Sequence, residues 1–251
     1  MKGHPLRYSN HMYKTAIITG AGRGIGKETA LLLAKIGLTN IVVCSRTQSE
    51  IDSVVEEIKK LNNNNNNNNI IGMKCDVSNS LEVNQLVQKA IDRFDCIDIL
   101  VNNAGIAFVN KLIDTSEEQW DKTLDINLKG AFLCTKAVLP FMLRNRSGVI
   151  INVSSGAGKI GFPNIAAYCA SKFGMIGLTE SLAWELGDMN IRVMALCPGE
   201  VNTKMQEDLD KQYYRENKNK MLEPELIAER IVEMIFNNRH QYTSGQSVEI
   251  D

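Results

Sequence analysis

The sequence predicts an α/β fold in which a doubly wound, parallel sheet of about seven strands carries helices on both faces. Short apolar, β-branched segments alternate with longer helical patterns from residue 14 onward. Most of the strand segments are continuously apolar, which is typical of strands buried on both faces of a parallel sheet. Strands and helices that alternate in this way form right-handed crossover units.

Each apolar segment and each helical pattern predicts one element of this fold. The predicted strands cover residues 14–19, 40–44, 70–74, 97–102, 149–153, 192–197 and 242–250. Helical periodicity fills the intervals between them. The predicted helices cover residues 24–36, 48–61, 80–94, 117–143, 167–186 and 224–236.

Composition narrows the classes of function. Lys and Arg total 28 and Asp and Glu total 29 of the 251 residues, so the net charge of −1 argues against nucleic acid as the main partner. No apolar run approaches the roughly 18 residues of a membrane span, and the N-terminus lacks the apolar stretch of a signal peptide. We therefore expect neither a membrane nor a nucleic-acid partner.

Cysteine and histidine usage argues against a metal site. No two of the six cysteines are closer than 21 residues, and the chain has only three histidines. Neither metal-finger spacing nor a histidine-based catalytic triad is therefore expected. Cysteines in or beside apolar segments are typical of reduced, buried thiols in the cytoplasm.

Three segments interrupt the periodic pattern. Residues 1–12 form a polar arm that we expect to be flexible, ahead of a single domain over residues 13–251. Residues 62–69 are eight consecutive asparagines, which favour turns and predict a surface loop. The polar residues 205–220 are expected to form a mobile lid that closes over the site.

A glycine-rich loop, TGAGRGIG at residues 19–26, follows the first predicted strand and opens a helix. Glycines let backbone N–H groups approach a pyrophosphate, and the helix dipole favours its charge. The position between strand and helix is the context of a Rossmann-type dinucleotide site. The candidate cofactor-binding residues here are Gly20, Gly22, Arg23, Gly24, Ile25 and Gly26.

The end of the second predicted strand bears on the choice of cofactor. NAD-binding proteins usually place an acidic residue there, whereas this chain has Ser45 and Arg46. A carboxylate would repel a 2′-phosphate, and arginine can pair with it through two hydrogen bonds. With Arg23 in the neighbouring loop, the sequence favours NADP(H) over NAD(H).

Several motifs occur in a characteristic order. Tyr168 and Lys172 lie four residues apart on one predicted helix face, and Ser155 lies 13 residues before Tyr168. Asn127 precedes them, and CDV (75–77), NNAG (102–105) and PGEVNT (198–203) flank them. Over residues 13–250 the chain thereby resembles the short-chain dehydrogenase/reductase family, in its single-domain, 3-oxoacyl reductase-like branch.

The resemblance implies a role for each catalytic position. Tyr168 would be the general acid/base that exchanges a proton with the substrate oxygen, and Ser155 would hydrogen-bond that oxygen. Lys172 would bind the nicotinamide ribose and, with the oxidised nicotinamide, lower the pKa of Tyr168. The backbone carbonyl of Asn127 would hold a water that relays protons to Lys172.

The resemblance also implies further cofactor contacts. Asp76 and Val77 would border the adenine, and the segment after the fourth strand would border its ribose. The segment after the sixth strand would shape the nicotinamide site. The residues so implied are Asp76, Val77, Asn103, Ala104, Gly105, Tyr168, Lys172, Pro198, Gly199, Val201 and Thr203.

The expected function is hydride transfer between NADP(H) and a carbonyl or secondary alcohol. A 3-oxoacyl thioester is one candidate substrate, and a sugar, polyol or xenobiotic carbonyl is the alternative. A cofactor-binding sensor without turnover would not need the four catalytic residues. Lys159, Ile160, Phe162 and Pro163 are expected to line a partly apolar wall of the substrate pocket. The helix over 167–186 is apolar on more than one side, which with the resemblance implies a homodimer or homotetramer.

Overall fold

The computed structural model describes residues 13–62, 68–236 and 241–251, and within them seven strands form one sheet. The N-terminal arm (1–12) and five of the eight asparagines (63–67) lie outside the described residues. The strands are β1 (Thr15–Thr19), β2 (Asn40–Ser45), β3 (Asn69–Lys74), β4 (Ile99–Asn102), β5 (Gly148–Val153), β6 (Ile191–Pro198) and β7 (Ser247–Ile250).

Every neighbouring pair of strands runs parallel, and their order is β3-β2-β1-β4-β5-β6-β7. The predicted fold class is therefore confirmed. The strands β4 and β7 are shorter than predicted, because their paired register begins only at Ile99 and at Ser247.

The helices connect successive strands across both faces. They are α1 (Gly24–Lys35), α2 (Gln48–Asn62), α3 (Ser80–Phe94), α4 (Glu117–Leu124), α5 (Gly130–Asn145), α6 (Ala166–Leu186), α7 (Lys204–Leu209), α8 (Lys211–Asn217) and α9 (Pro224–Phe236). The long helix predicted over 117–143 is divided by a π-helical turn, Asp125–Lys129. The segment predicted as a lid folds into α7 and α8, which Thr203 and Asp210 cap through their side chains.

Two apolar cores lie on the two faces of the sheet. Consecutive strand residues point to opposite faces, so Ile17 belongs to one core and Ile18 to the other. The Ile18 core contains residues of α1, α2 and α9, and the Ile17 core contains residues of α3, α5 and α6. Burial on both faces explains why the strands read as continuous apolar runs.

The described asparagines of the run do not form the predicted surface loop. Asn62 ends α2 and Asn69 begins β3. Asn68 is buried, and its Nδ2 donates to the carbonyl oxygens of Leu38 (2.5 Å) and Ala34 (3.3 Å). The loop interpretation is wrong at these positions, because the amide side chain is held by carbonyl groups at and just beyond the end of α1.

One helical stretch, Glu117–Asn145, is long and apolar enough by composition to cross a membrane. Its most apolar window is 44% buried inside the protein. Its α5 segment packs against α3 and β4, as the core helix of an α/β sandwich does.

We predict that Ile17→Ala lowers the free energy of unfolding by about 2–5 kcal/mol, because it leaves a cavity under the helical layer of α3, α5 and α6. Urea denaturation measures the change. Leu81→Ala is the control, since Leu81 is 71% exposed and its loss should cost less than about 0.5 kcal/mol. Equal losses in the two variants would contradict the assignment of the core.

Candidate active site

The strand order reverses direction between β1 and β4, which opens a crevice at the carboxyl ends of the strands. A cavity of about 770 Å³ lies there. The ends of five strands, the glycine-rich loop and α7 line it. Its volume is typical of sites for cofactors and small substrates. Of the residues predicted for the site, Gly26 and Asn127 do not line the cavity, and all the others do.

The glycine-rich loop passes close to its neighbours at several of its glycines. Gly20 and Gly24 have φ angles of +62° and +56°, which favour glycine. A Cβ on Gly20 would lie 2.8 Å from the Cα of Ala104, and one on Gly26 would lie 2.5 Å from Nδ2 of Asn103. Gly26 is therefore needed for packing beneath the loop.

The start of α1 is available to an anion. Arg23 occupies its N-cap position, and its side chain does not hydrogen-bond the first N–H groups of the helix. The glycine-rich loop, which leads into this helix, lines the cavity. A glycine cradle beside an uncapped helix N-terminus fits the pyrophosphate of a dinucleotide.

Asn103 joins the glycine-rich loop to the end of β4. Its Nδ2 donates to the carbonyl oxygens of Thr19 (3.0 Å) and Gly20 (3.1 Å). Its N–H and that of Ala104 donate to Oγ1 of Thr19 at 3.0 and 3.1 Å. These bonds hold the two strand ends at the separation that leaves the crevice open.

The carboxyl end of β2 carries the groups predicted to select the cofactor. Arg46 is exposed, and no carboxylate lies within ion-pair distance of it in the described part of the chain. The Ser45 hydroxyl bonds the backbone of Thr47 at 3.2 Å. Arg23 pairs with Glu50 of α2, with 3.4 Å between Nη1 and Oε1. Sequence reasoning missed Glu50, although its place in the first turn after β2 puts a carboxylate near this strand end.

Asp76 lies at the end of β3, where it lines the cavity with Val77. Its Oδ1 accepts bonds from the N–H and the hydroxyl of Ser78 at 2.9 and 2.7 Å. Its N–H donates to Glu82 at 2.8 Å. This local network fixes the carboxylate at the edge where the adenine is expected.

Tyr168 and Ser155 meet at the end of β5. Ser155 follows the strand and caps a short 3₁₀ turn, with its Oγ accepting from the N–H of Ala157 at 3.1 Å. Burial raises the pKa of Tyr168 above its ordinary value, while a hydrogen bond from Ser155 acts in the opposite direction. The expected lowering of this pKa includes the charge of an oxidised nicotinamide and stays a prediction.

The ammonium group of Lys172 bonds the end of β5 and lies near the Tyr168 ring. Its Nζ donates to the carbonyl oxygen of Val153 at 2.7 Å and lies 5.5 Å from the centre of the Tyr168 ring. The side chain is buried, and burial lowers the pKa of Lys172 to about 8. Ser154 faces the core as expected, and its hydroxyl donates to the Lys172 carbonyl oxygen at 3.0 Å.

Asn127 lies in the π-helical turn and is fully buried. Its Oδ1 accepts from the N–H of Ile106 (2.8 Å), and its Nδ2 donates to Ile106 O (2.9 Å) and to Ser171 Oγ (3.0 Å). Its side chain thus connects the segment after β4 to α6. The expected role of its backbone carbonyl in a proton relay stays a prediction.

The segment after β6 forms one side of the cavity. Pro198 ends β6, and the N–H of Gly199 donates to the carbonyl oxygen of Ile250 at 2.9 Å. Thr203 caps α7, and its methyl group lies 3.3 Å from the position of a Cβ on Gly24. Val201, which lies between Gly199 and Thr203 in the sequence, is buried. The segment thus packs directly over the glycine-rich loop.

The wall predicted over residues 159–163 is only partly correct. Phe162 and Pro163 line the cavity, whereas Lys159 and Ile160 do not. Lys159 instead bonds Ser247 of β7 at 2.5 Å. The N–H of Phe162 donates to Sγ of Cys169, which ties this wall to the helix that carries Tyr168. Within the described residues, no group of three or more His, Cys, Asp or Glu side chains could hold a metal ion.

Comparison with known proteins agrees with the ordered motifs. The family model described as short chain dehydrogenase matches residues 14–214. The chain belongs to the short chain dehydrogenase family. This dehydrogenase is 39% identical over 240 residues to the 3-oxoacyl-[acyl-carrier-protein] reductase of Synechocystis, with 95% of each chain covered. It is 35% identical over 244 residues to the reductase FabG of Staphylococcus epidermidis, covering 96% of this chain and 98% of that one.

Two solved structures show the same architecture as this dehydrogenase. Levodione reductase superposes with a TM-score of 0.87 at 29% identity, covering 95% of this chain and 96% of that one. A tryptophan variant of actinorhodin polyketide ketoreductase, solved with NADPH, gives a TM-score of 0.87 at 30% identity and 95% coverage of both chains. The expected family and the expected oxidoreductase class are confirmed.

We predict that Gly26→Ala destabilises the protein by about 1–3 kcal/mol, because the new Cβ overlaps Asn103 and the Gly20 carbonyl. Urea denaturation measures the loss. Gly187→Ala is the matched control, since nothing lies within 4 Å of a Cβ there and its φ of −55° is helical. A Gly26→Ala variant as stable as the control would contradict the described packing of the loop.

Proposed function

We propose that the protein is an NADPH-dependent reductase of 3-oxoacyl thioesters. The observation that carries the proposal is the meeting of Tyr168, Ser155 and Lys172 at the end of β5, inside the cavity that the glycine-rich loop opens. Similarity to the 3-oxoacyl-[acyl-carrier-protein] reductases of Synechocystis and Staphylococcus epidermidis supports the thioester substrate. The exposed Phe162 on the cavity wall supplies an apolar contact for an acyl chain.

The side chains at the end of β5 would supply the groups that carbonyl reduction needs. When bound, NADPH supplies a hydride for the carbonyl carbon. The phenol of Tyr168 would donate a proton to the carbonyl oxygen, and the hydrogen bond from Ser155 opposes the rise in pKa that burial causes. Ser155 can hydrogen-bond the same oxygen and then the phenolate that remains. Lys172, with a pKa of about 8, carries a charge at neutral pH that stabilises this phenolate.

The proposed cofactor contacts are made by residues that line the cavity. The N-terminus of α1 and the glycine-rich loop would hold the pyrophosphate. Arg46, Arg23 and Ser45 would hold the 2′-phosphate, and Asp76 would lie beside the adenine. The actinorhodin ketoreductase, a chain of the same fold, was solved with NADPH, which supports this choice of cofactor.

We also propose that the protein is a cytoplasmic homodimer or homotetramer that associates through α5 and α6. All six cysteines, which lie in the described residues, are free thiols, as expected in a reducing compartment. Trp184 of α6 is 89% exposed, and Phe173 and Phe132 on the same pair of helices are also exposed. Exposed large aromatic side chains are typical of a protein interface.

We predict that Tyr168→Phe lowers kcat for acetoacetyl thioester reduction by at least about 100-fold, because it removes the proton donor. Turnover is measured by the loss of NADPH absorbance. A sugar and an aromatic ketone are tested as alternative substrates in the same panel. NADPH binding, measured by fluorescence, should be unchanged in the variant. Retained activity would contradict the mechanism, and faster turnover of the sugar or the ketone would contradict the proposed substrate.

We predict that Trp184→Glu dissociates the oligomer, because it places a charge in the proposed apolar interface. Sedimentation velocity at micromolar concentration measures the change. Leu81→Glu is the control, since Leu81 is 71% exposed and belongs to α3, which is not one of the two helices of the proposed interface. A monomeric wild-type protein would contradict the proposed assembly, as would an unchanged sedimentation coefficient for Trp184→Glu.

A further inference from the structure

The corner of the cavity that receives the ribose 2′-position contains a carboxylate as well as two arginines. Glu50 lies in the first turn of α2 and lines the cavity beside Arg23, Ser45 and Arg46. Its side chain is 31% exposed, and its Oε1 pairs with Nη1 of Arg23 at 3.4 Å. A carboxylate is unexpected at this corner, because its negative charge would repel a phosphate.

The carboxylate lies directly over the glycine-rich loop. A Cβ on Gly22 would meet Oε2 of Glu50 at 2.7 Å and Oγ of Ser45 at 2.9 Å. Glu50 and Ser45 therefore converge on the same point above Gly22. Because this is the point where the loop faces the end of β2, a group attached to the ribose 2′-carbon would approach both oxygens.

Other carboxylates near Arg23 already have partners. Asp208 of α7 contributes to the electrostatic surroundings of Arg23, but its Oδ1 pairs with Lys204 at 2.8 Å. Glu57, two turns further along α2, pairs with Lys27 at 2.9 Å and does not line the cavity. Among the described residues that line the cavity, only Glu50 has an ion pair with Arg23.

We propose that Glu50 determines the selectivity between NADPH and NADH by competing with the 2′-phosphate for Arg23. A phosphate that binds Arg23 must break the Arg23–Glu50 pair and comes to lie near a carboxylate that repels it. The 2′-hydroxyl of NADH avoids this repulsion and can donate a hydrogen bond to the carboxylate. Glu50 therefore narrows the preference for NADPH that Arg46 and Arg23 create. This inference rests on the proposed nicotinamide cofactor and extends it to the residue that sets its selectivity.

Equilibrium binding without substrate tests the proposal. Dissociation constants for NADPH, NADH and adenosine 2′,5′-bisphosphate are measured by fluorescence and calorimetry for the wild type, Glu50→Gln and Glu57→Gln. We expect Glu50→Gln to tighten NADPH and the bisphosphate by at least about threefold, and not to tighten NADH. Glu57→Gln should bind all three ligands as the wild type does.

A double-mutant cycle separates competition for Arg23 from other effects of Glu50. In an Arg23→Ala background the gain in NADPH affinity from Glu50→Gln should fall to less than half, because Arg23 is no longer present to be released from Glu50. Glu50→Ala should show the same gain in NADPH affinity as Glu50→Gln. Circular dichroism and thermal melting check that each variant is folded. The gain should also shrink at high ionic strength.

Three results would overturn the proposal. These are unchanged NADPH affinity in both Glu50→Gln and Glu50→Ala, a gain that persists in full without Arg23, and a wild-type protein that binds neither NADPH nor the bisphosphate. A wild-type protein that binds NADPH but reduces no carbonyl in the substrate panel would refute the proposed function alone. The binding cycle would then still support or refute the role of Glu50.

Discussion

The burial of one ammonium group organises the candidate active site. Lys172 is nearly inaccessible to solvent, and its Nζ is held by the carbonyl oxygen of Val153 at 2.7 Å. A charged group in this position requires hydrogen-bond partners, because leaving it unpaired would cost several kcal/mol. The bond therefore fixes α6 against the end of β5. Ser154 adds a second bond between the same two elements, and Tyr168, one helical turn away, is placed beside Ser155.

The buried sheet explains why these groups gather at one edge. Both faces of the sheet are covered by apolar helices, so a polar side chain inside it is stabilised by pairing with another polar group. Asn152 shows this, because its Oδ1 accepts from Asn102 (2.9 Å) and its Nδ2 donates to Thr179 (2.9 Å). Only the carboxyl ends of the strands remain open, and the reversal of strand order between β1 and β4 makes a crevice there.

Groups that are local in sequence were predictable, and groups that long-range packing brings together were not. The glycine-rich loop and the four-residue spacing of Tyr168 and Lys172 are local patterns, so the sequence alone indicated the cofactor cradle and the catalytic helix. The bond from Lys172 to Val153 and the pairing of Arg23 with Glu50 join different elements. Asn68 reads as a loop residue locally, but its contacts with Ala34 and Leu38 depend on the tertiary fold.

The ionisation of Lys172 is the most direct test, because it reports both the burial of the side chain and the charge available to Tyr168. The side-chain ¹³Cε signal of Lys172 can be followed by NMR against pH, with Lys172→Met providing its assignment. Since burial lowers the pKa of Lys172 to about 8, the signal should titrate near that pH. A midpoint at the ordinary lysine value of about 10.4 would contradict the buried ammonium on which the site depends.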